Sequence, residues 1–403
     1  MDHEYSALFQ SYDHFRNISP KNGSYTTPLS GVPLRKDLDK FRGCLIGGAV
    51  GDALGYPVEF LSEPELFERF GATGISSYVF LDGLARISDD TQMTLFTANG
   101  LLFGFTRGCM RGIMAPYTSY LANAYREWYK TQILSSPITS KFNCSWILNV
   151  PKLYAERSPG DTCMEVLRGD YTGTPEDPVN FSKGCGGVMR VAPIGLYFGE
   201  YHPLAADMLG ADAAALTHGH ELGYIPAAML VHIIRLISHS REITLKEAVL
   251  DARVAMEVLF AGRKHLPAFL QRMDQAVTLS ETDGDDLTAI HALGCGWSGD
   301  EALAIAVYCA LKYSGDFDRA ITAAVNHRGD SDSTGAITGN ILGAYLGLSG
   351  IPQKYLENLE LRDLILELAE DLYDDCPLRS SSDPQNPSAS RWYDKYVSVT
   401  YGK

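Results

Sequence analysis

The chain has 403 residues, of which 45% are hydrophobic, and its formal net charge is −15. This length and apolar content suffice for one large core or two smaller ones, whereas the acidic balance argues against nucleic acid as a partner because the protein as a whole would repel phosphates. The best candidates for a membrane span, at 41–50 and 341–348, are Gly-rich and too short to cross a bilayer comfortably, which argues against a membrane protein.

The first residues and the cysteines indicate the compartment. Residues 1–5 lack the cationic start and the apolar stretch of a secretory signal. The eight cysteines include no CxxC pair, and several lie within apolar helical patterns, where cysteine behaves as a small hydrophobic residue. We therefore expect reduced thiols and a cytoplasmic protein.

Residues 1–38 are predicted to form an N-terminal extension, and residues 39–403 the folded body. The extension is polar and without periodicity, and it ends in prolines and charged residues. Aromatic side chains provide large contact areas at modest entropic cost, so they would suit a partner-binding arm; the candidates are Tyr5, Phe9, Tyr12 and Phe15. The alternative is a dispensable or self-docked terminus.

From residue 38 onward the pattern is typical of an all-helical body. Apolar residues recur at helical spacing in four clear segments, while alternating, strand-like runs are scarce. These segments are 205–215, 222–238, 245–260 and 301–312. Glycines recur at every fourth position over 43–55 and over 335–347. Because glycine costs about 1 kcal/mol relative to alanine inside a helix, the two stripes predict helices that approach each other closely.

The first Gly-striped helix is predicted to end at Gly55, since Pro57 forces the chain out of the helix. Glu59 then lies on a turn, at the end of the segment GDALGYPVE at 51–59. A glutamate on a turn is most often a hydrated surface residue. Asp52, inside the helix, could be a structural partner.

The segment Ser88-Asp89-Asp90-Thr91 leads directly into an apolar helix predicted over 94–105. Ser88 can act as an N-cap there, and Asp89 and Asp90 favour the positive end of the helix dipole. Three oxygen-bearing side chains in a row are also what a hard cation binds. This segment alone does not distinguish helix capping from metal binding.

Two Gly-rich runs, at 183–193 and 293–301, could expose N–H donors to a phosphate. Neither fits a known nucleotide-binding loop, and plain connections between helices are the alternative. His218, in the segment THGH at 217–220, could contact a diphosphate or cap its helix.

A second acidic helix start has the sequence GDSDST at 329–334. Asp330 and Asp332 are two residues apart and Ser333 follows, which resembles a loop that binds a hard cation. Four carboxylates brought together without cations would raise one another's pKa values. Two such clusters on neighbouring helix ends would therefore hold two Mg²⁺ ions, with some positions left to water or substrate.

The C-terminal region divides into a loop and a tail. Residues 380–390 are rich in Ser, Pro, Asn and Asp, which predicts a loop. The aromatic segment that follows, Arg391-Trp392-Tyr393, predicts a docked tail.

Five segments in this order resemble the ADP-ribosylhydrolase family. They are GDALG followed by Glu59 at 51–59, SDDT at 88–91, GCGGVMRVAP at 184–193, THGH at 217–220 and GDSDST at 329–334. The similarity spans roughly residues 38–372 together with the terminal aromatic segment. Five ordered motifs are much more specific than any one of them. One departure is Cys185, where many members have asparagine.

The resemblance implies an all-α orthogonal helical bundle with a binuclear Mg²⁺ centre, or sometimes Mn²⁺, in a cleft. The implied metal ligands come from the two acidic helix starts and are Ser88, Asp89, Asp90, Asp330, Asp332 and Ser333. Glu59 matches the acidic residue beside the cleaved bond, and the catalytic candidates are Glu59, Asp90 and Asp332. The segments that line the ADP-ribose pocket contain Gly186, Gly187 and His218. In this scheme the ions orient the ribose and polarise a water molecule, while carboxylates transfer protons.

The implied activity is hydrolysis of mono-ADP-ribose from a modified protein side chain, with arginine as the preferred linkage. Reversal of a transferase toxin, an immunity role, is one setting for it. Two alternatives stay open. The carboxylates would equally serve another two-metal hydrolase that acts on a phosphoester. The protein could instead be a binding protein that occludes an ADP-ribosyltransferase toxin through its N-terminal arm.

Overall fold

The structure, a computed structural model, describes residues 26–137, 143–199, 203–379 and 387–398. Within these ranges the chain forms seventeen α-helices and one two-stranded antiparallel hairpin. In chain order the elements are α1 (Leu38–Gly55), α2 (Glu63–Phe70), β1 (Phe80–Leu81), β2 (Leu84–Ala85), α3 (Asp89–Arg111), α4 (Tyr117–Ile133), α5 (Asp161–Leu167), α6 (Ala192–Tyr197), α7 (Pro203–Ala215), α8 (Glu221–His239), α9 (Leu245–Leu259), α10 (Leu266–Ser280), α11 (Asp286–Leu293), α12 (Gly299–Lys312), α13 (Phe317–Val325), α14 (Ser331–Leu346), α15 (Gln353–Leu356), α16 (Arg362–Asp374) and α17 (Pro387–Tyr396). Short 3-10 turns include Tyr56–Val58 and Cys185–Gly187.

The prediction of an all-helical fold is confirmed. The four segments with helical apolar spacing are helices α7, α8, α9 and α12, and their observed ends differ from the predicted ends by at most two residues. Helix α8 is apolar and long enough to cross a membrane, but 94% of that stretch is buried inside the protein. It is therefore packed as the core helix of a globular fold is packed.

Helices α1 and α14 pack through their glycines at the centre of the protein, as the stripes predicted. A Cβ atom added to Gly47 would lie well inside contact distance of the Gly339 carbonyl oxygen, and Gly51 meets Gly335 in the same way. Gly55 faces the backbone of Ser331, so the C-terminal end of α1 lies beside the N-terminal end of α14. This backbone contact places Glu59, which follows α1, next to the second acidic helix start.

Gly47→Ala is expected to destabilise the protein by about 1–3 kcal/mol, because the added methyl group has to force two helix backbones apart. Thermal or denaturant unfolding measures the change. Gly315→Ala is the matched control, since a Cβ atom there meets no other atom within 4 Å. A surface change of this kind should stay within about 0.5 kcal/mol. Equal stability of the two variants would contradict the packing described for α1 and α14.

Residues 26–37 run along the helical body ahead of α1. The Leu29 N–H donates to Asp251 Oδ1 at 2.7 Å, and the Arg35 N–H donates to the carbonyl oxygen of His239 at 2.7 Å. Val32 packs against the core. This part of the extension therefore contacts α8 and α9. The aromatic anchors predicted at positions 5, 9, 12 and 15 lie outside the described residues.

The C-terminal tail contacts the body, but the loop predicted before it is wrong for residues 387–390. Helix α17 begins at Pro387, and proline is well tolerated in the first turn of a helix because its missing N–H would have no partner there. Trp392 is buried, and its Nε1 donates to Thr106 Oγ1 at 2.9 Å. Residues 380–386 of the predicted loop lie outside the described residues.

Candidate active site

Three segments bring buried carboxylates to one place: the turn after α1, the start of α3 and the start of α14. Glu59, Asp330 and Asp332 each place a carboxylate oxygen within 4.8 Å of the other two. The acidic residues predicted for the site are all buried, and the most exposed of them, Glu59, is only 7% exposed. The alternative that Glu59 is a hydrated surface residue is therefore wrong. The 3-10 turn Tyr56–Val58 continues from α1 and turns Glu59 towards the interior.

The start of α3 both caps the helix and presents carboxylates. Ser88 is the N-cap, and its hydroxyl accepts a hydrogen bond from the Asp90 N–H at 3.2 Å. Asp89 Oδ2 accepts from the Gly160 N–H at 3.4 Å. Asp90 Oδ1 is buried and has no hydrogen-bond partner among the described residues. Capping therefore accounts for Ser88, but it leaves an oxygen of Asp90 unsatisfied.

The start of α14 likewise both caps its helix and presents carboxylates. Asp330 is the N-cap, and its Oδ1 accepts from the Ser333 N–H at 3.3 Å. Its Oδ2 accepts from the thiol of Cys185, with 2.6 Å between sulfur and oxygen. Gly329 has a φ of 122°, a conformation that L side chains rarely adopt, and a Cβ there would collide with the carbonyl oxygen of Cys295. A glycine at 329 is therefore needed for the tight entry into this helix start.

Asp52 positions the start of α3 from within α1, a role that the sequence left vague. Its Oδ1 accepts from the Ser88 N–H at 2.9 Å, and its Oδ2 accepts from the Thr91 N–H at 3.1 Å and from the Thr91 hydroxyl. Burial raises the pKa of Asp52 to about 6, and the hydrogen bonds from Ser88 and Thr91 oppose the shift. The available signal was the one charged residue within the Gly stripe at 43–55.

Asp52→Asn is expected to weaken Mg²⁺ binding by roughly 10–100-fold, the usual effect of losing a residue that orients metal ligands. The amide keeps the volume but offers one acceptor oxygen where the carboxylate offers two. Isothermal titration with Mg²⁺ measures the affinity. Asp39→Asn makes the same change in the same helix at a half-buried residue that bonds to Ser349, away from the cluster. If both variants bound Mg²⁺ as the wild type does, Asp52 would not be the residue that orients α3.

The electrostatics of the cluster call for positive charge. Burial, followed by repulsion from Asp330 and Asp89, raises the pKa of Glu59 to about 9. Burial likewise raises the pKa of Asp90 and of Asp332 well above the ordinary value. Among the described residues no ion pair joins these carboxylates to a lysine, arginine or histidine. Because hard divalent cations prefer carboxylate and hydroxyl oxygens, the cluster is chemically suited to hold them.

The three predicted substrate-binding residues lie together beside the cluster: Gly186 and Gly187 are part of a glycine turn, and His218 packs against it. Gly186 lies in the 3-10 turn Cys185–Gly187, where a Cβ atom would approach His218 Cε1 to 3.0 Å. His218 is buried, which lowers its pKa to about 3, and its Nδ1 shares a hydrogen bond with Thr217 Oγ1 at 2.8 Å. His218 does not cap α8, because His220 is the N-cap of that helix. The neutral ring of His218 therefore packs against the glycine turn, and a side chain at Gly186 would crowd this ring.

Arg190 fixes the turn before α8 and was not identified from the sequence. It is fully buried, and its Nη2 donates to the Ala213 carbonyl oxygen at 2.9 Å and to Thr217 Oγ1 at 2.8 Å. Its guanidinium group lies 4.2 Å from the centre of the Tyr125 ring. An arginine in the run GCGGVMRVAP was the only signal, and its partners come from distant segments.

Two exposed aromatic residues stand at the edge of this region and were also missed. Phe60 follows Glu59 directly and is 71% exposed, and its ring stacks on that of Trp297, with centroids 6.0 Å apart. The Cys185 N–H donates to the carbonyl oxygen of Trp297 at 3.2 Å, so the Trp297 backbone is attached to the glycine turn. These rings form an apolar rim between Glu59 and the Gly-rich runs.

Comparisons with known proteins agree on one family. A family model described as ADP-ribosylglycohydrolase matches residues 33–382. The chain is 25% identical to the ADP-ribosylarginine hydrolase Tri1 of Pseudomonas putida, over 84% of this chain and 79% of that protein. It is 26% identical to the ADP-ribosylhydrolase ARH3 of Bos taurus, over 85% of this chain and 94% of that protein. A solved structure titled "ADP-ribosylglycohydrolase-related protein complex" matches 84% of this chain and 98% of its own, with a TM-score of 0.56 and 25% identity.

Proposed function

Because the chain belongs to the ADP-ribosylglycohydrolase family and is an ADP-ribosylhydrolase, we propose that it releases mono-ADP-ribose from modified arginine side chains with the help of two Mg²⁺ ions. The observation that carries the proposal is the buried group of Glu59, Asp330 and Asp332, with Asp89 and Asp90 close enough to raise its pKa values, which no cationic side chain neutralises among the described residues. The arginine linkage is supported by the name of one relative, ADP-ribosylarginine hydrolase.

We assign the ions to the two acidic helix starts, and Mn²⁺ would suit the same oxygen ligands. The proposed ligands are Ser88, Asp89, Asp90, Asp330, Asp332 and Ser333. The unpartnered Oδ1 of Asp90 supports this assignment, because a buried carboxylate oxygen without a donor is costly unless a cation binds it. Bound Mg²⁺ would supply Lewis-acid chemistry, holding the ribose hydroxyls and polarising a nucleophilic water.

Glu59 is proposed to handle the proton of the leaving group. It follows α1 on a separate segment from the two helix starts, and its buried Oε2 has no partner among the described residues, so that this oxygen is free to face a substrate. Burial favours the protonated form, which can donate to the leaving guanidine nitrogen. Cations held by Asp330 and Asp332 would lower the pKa of Glu59, because positive charge favours the carboxylate, so burial and the cations shift this pKa in opposite directions. Asp90 and Asp332 share the catalytic work by fixing the position of the reacting centre.

The glycine turn is proposed to receive the ADP-ribose. Gly186 and Gly187 have no side chain that would keep a ligand from the backbone, and glycine-rich backbone is well suited to approach a diphosphate. His218 packs against this turn as a neutral ring. Its contribution to binding would then be mainly to keep the turn in place.

The reaction products distinguish this proposal from a two-metal phosphoesterase. Hydrolysis of the glycosidic bond releases intact ADP-ribose and an unmodified side chain, whereas phosphoester hydrolysis would release phosphate or a nucleoside monophosphate. Chromatography of the products from an ADP-ribosylated protein separates the two outcomes. Phosphate or nucleoside monophosphate as the first product would overturn the proposed function.

We further propose a cytoplasmic immunity role, in which the enzyme removes the modification that an ADP-ribosyltransferase toxin has attached. The eight cysteines, all among the described residues, are reduced, which suits a reducing compartment. The aromatic residues of the N-terminal extension would suit contact with such a partner. Occlusion of the toxin by binding alone is less consistent with a buried carboxylate cluster, because a purely steric inhibitor has no need of one.

A further inference from the structure

The segment that leads into α3 is held from outside by an ion pair. The Arg157 guanidinium group donates to Glu360 Oε1 at 2.9 Å, and the other oxygen of Glu360, Oε2, accepts from the Ile87 N–H at 3.2 Å. The Arg157 carbonyl oxygen accepts from the Asp89 N–H at 3.0 Å. The two residues of the pair therefore contact the chain on both sides of Ser88, the N-cap of α3.

The backbone around Glu360 is joined to the same segment. The Ala85 N–H donates to the carbonyl oxygen of Asn358 at 2.9 Å, and the Glu360 N–H donates to the carbonyl oxygen of Ala85 at 3.0 Å. Ala85 and Leu359 form a parallel bridge. Glu360, which lies shortly before α16, is thus attached to the entry of α3 by its backbone as well as by its side chain.

Unfavourable backbone conformations are concentrated around the pair. Ser158, which follows Arg157, has a φ of 53°. Asn358 and Leu361, which lie on either side of Glu360, have φ values of 59° and 57°. Residues other than glycine rarely adopt this left-handed conformation, and it persists where the surrounding structure imposes it, which is commonest at functional sites. The contacts of the pair, and not local preference, therefore set its geometry.

Stability alone does not explain the pair. The side chains of Arg157 and Glu360 are 9% and 6% exposed, and the buried Nη1 atom of Arg157 has no hydrogen-bond partner among the described residues. A buried ion pair is a weak source of stability, because taking both charges out of water can cost more free energy than their attraction contributes. Such a pair can instead specify one arrangement of the groups that it contacts.

We propose that Arg157 and Glu360 are positioning residues, which hold the start of α3 so that its carboxylates face the second acidic helix start. Burial, followed by repulsion from Asp90, raises the pKa of Asp332, so the two helix starts lie close together. A small displacement of α3 would therefore change the spacing between the two sets of carboxylates. This inference rests on the proposed two-magnesium site and concerns what keeps its ligands in place.

Glu360→Ala tests the proposal, because it removes both acceptor oxygens and leaves every proposed Mg²⁺ ligand unchanged. In the metal-free full-length protein we expect amide hydrogen exchange over 86–91 to become at least about tenfold faster. Calorimetry should show Mg²⁺ binding weakened by about 10–100-fold. Glu360→Gln keeps one acceptor oxygen and should lie between Glu360→Ala and the wild type in both measurements, and it carries the test if the alanine variant does not fold.

Asp371→Ala is the matched control, because Asp371 accepts from Lys395 Nζ at 2.7 Å in another largely buried ion pair, which joins α16 to α17. It should leave exchange over 86–91 unchanged and keep the affinity for Mg²⁺ within about twofold. Unchanged exchange over 86–91 in the Glu360 variants, or an equal loss of Mg²⁺ affinity in Asp371→Ala, would overturn the proposal. If the wild type binds no Mg²⁺, faster exchange confined to 86–91 still supports the positioning role, and only the two-magnesium proposal fails.

Discussion

Asp332→Asn is expected to lower kcat by about 10³-fold and to abolish binding of one Mg²⁺ ion. Asp332 is 2% exposed and has a carboxylate oxygen within 4.8 Å of those of Glu59 and Asp330. Its negative charge would therefore act on the proposed Mg²⁺ ions at close range in a buried environment. Loss of metal-supplied stabilisation of about 4 kcal/mol corresponds to this factor. Steady-state kinetics and Mg²⁺ titration by calorimetry measure the two effects. Chelation of the wild type with EDTA should abolish turnover, and added Mg²⁺ or Mn²⁺ should restore it.

Asp285→Asn provides a control at another helix start. Asp285 caps α11 by accepting from the Thr288 N–H at 2.9 Å, and it lies on the surface. Asparagine is nearly as good an N-cap as aspartate, so this variant should retain wild-type kcat. Full activity of the wild type after thorough chelation would refute a metal-dependent mechanism. A comparable loss of kcat in both variants would mean that helix capping explains the Asp332 effect.

Glu59→Gln is expected to reduce kcat by about 10²–10⁴-fold, the usual contribution of a general acid or base. Glutamine retains the size and much of the hydrogen-bonding capacity of glutamate but cannot transfer a proton. Because Glu59 is not among the proposed Mg²⁺ ligands, the affinity for Mg²⁺ should change by only a few-fold. KM should change little, since the loss concerns a step after substrate binding. Glu68→Gln, on an exposed position of α2, is the matched control and should leave kcat unaltered.

A different pattern of effects would reassign Glu59. If Glu59→Gln lost Mg²⁺ affinity in parallel with kcat, the carboxylate would act as a metal ligand. If it retained wild-type kcat, proton transfer would have to come from another group. A substrate with a better leaving group offers an independent check, because it needs less help from an acid and should recover part of the lost rate.

Features that a local pattern specifies could be predicted from the sequence, whereas the individual partners of single side chains in distant segments could not. The helical spacing predicted α7, α8, α9 and α12, and the spacing of the glycines predicted the contact between α1 and α14. The carboxylates of the site were recognised because each acidic helix start is contiguous in the chain. The carboxylates converge because α1 and α14 pack antiparallel. The glycine stripes predicted that these two helices approach each other closely, but not in which direction they run.

The missed residues share a dependence on long-range contacts. Asp52 bonds to Ser88 and Thr91 more than thirty residues away, and Arg190 bonds to Ala213 in α7 and to Thr217 in the turn before α8. No local pattern specifies such partners. The loop prediction failed for a different reason at residues 387–390: proline and serine favour loops, but they also favour the first turn of a helix, and in α17 the second preference prevails.

The measurement that tests the central claim most directly compares linkages under matched conditions. One protein or peptide carrying ADP-ribose on arginine, and another carrying it on serine, would each be incubated with the enzyme in Mg²⁺ and in EDTA, and released ADP-ribose quantified over time. We predict rapid release from arginine in Mg²⁺, much slower release from serine, and none in EDTA. Faster hydrolysis of the serine linkage would contradict the proposed specificity, and undiminished release in EDTA would contradict the proposed metal centre.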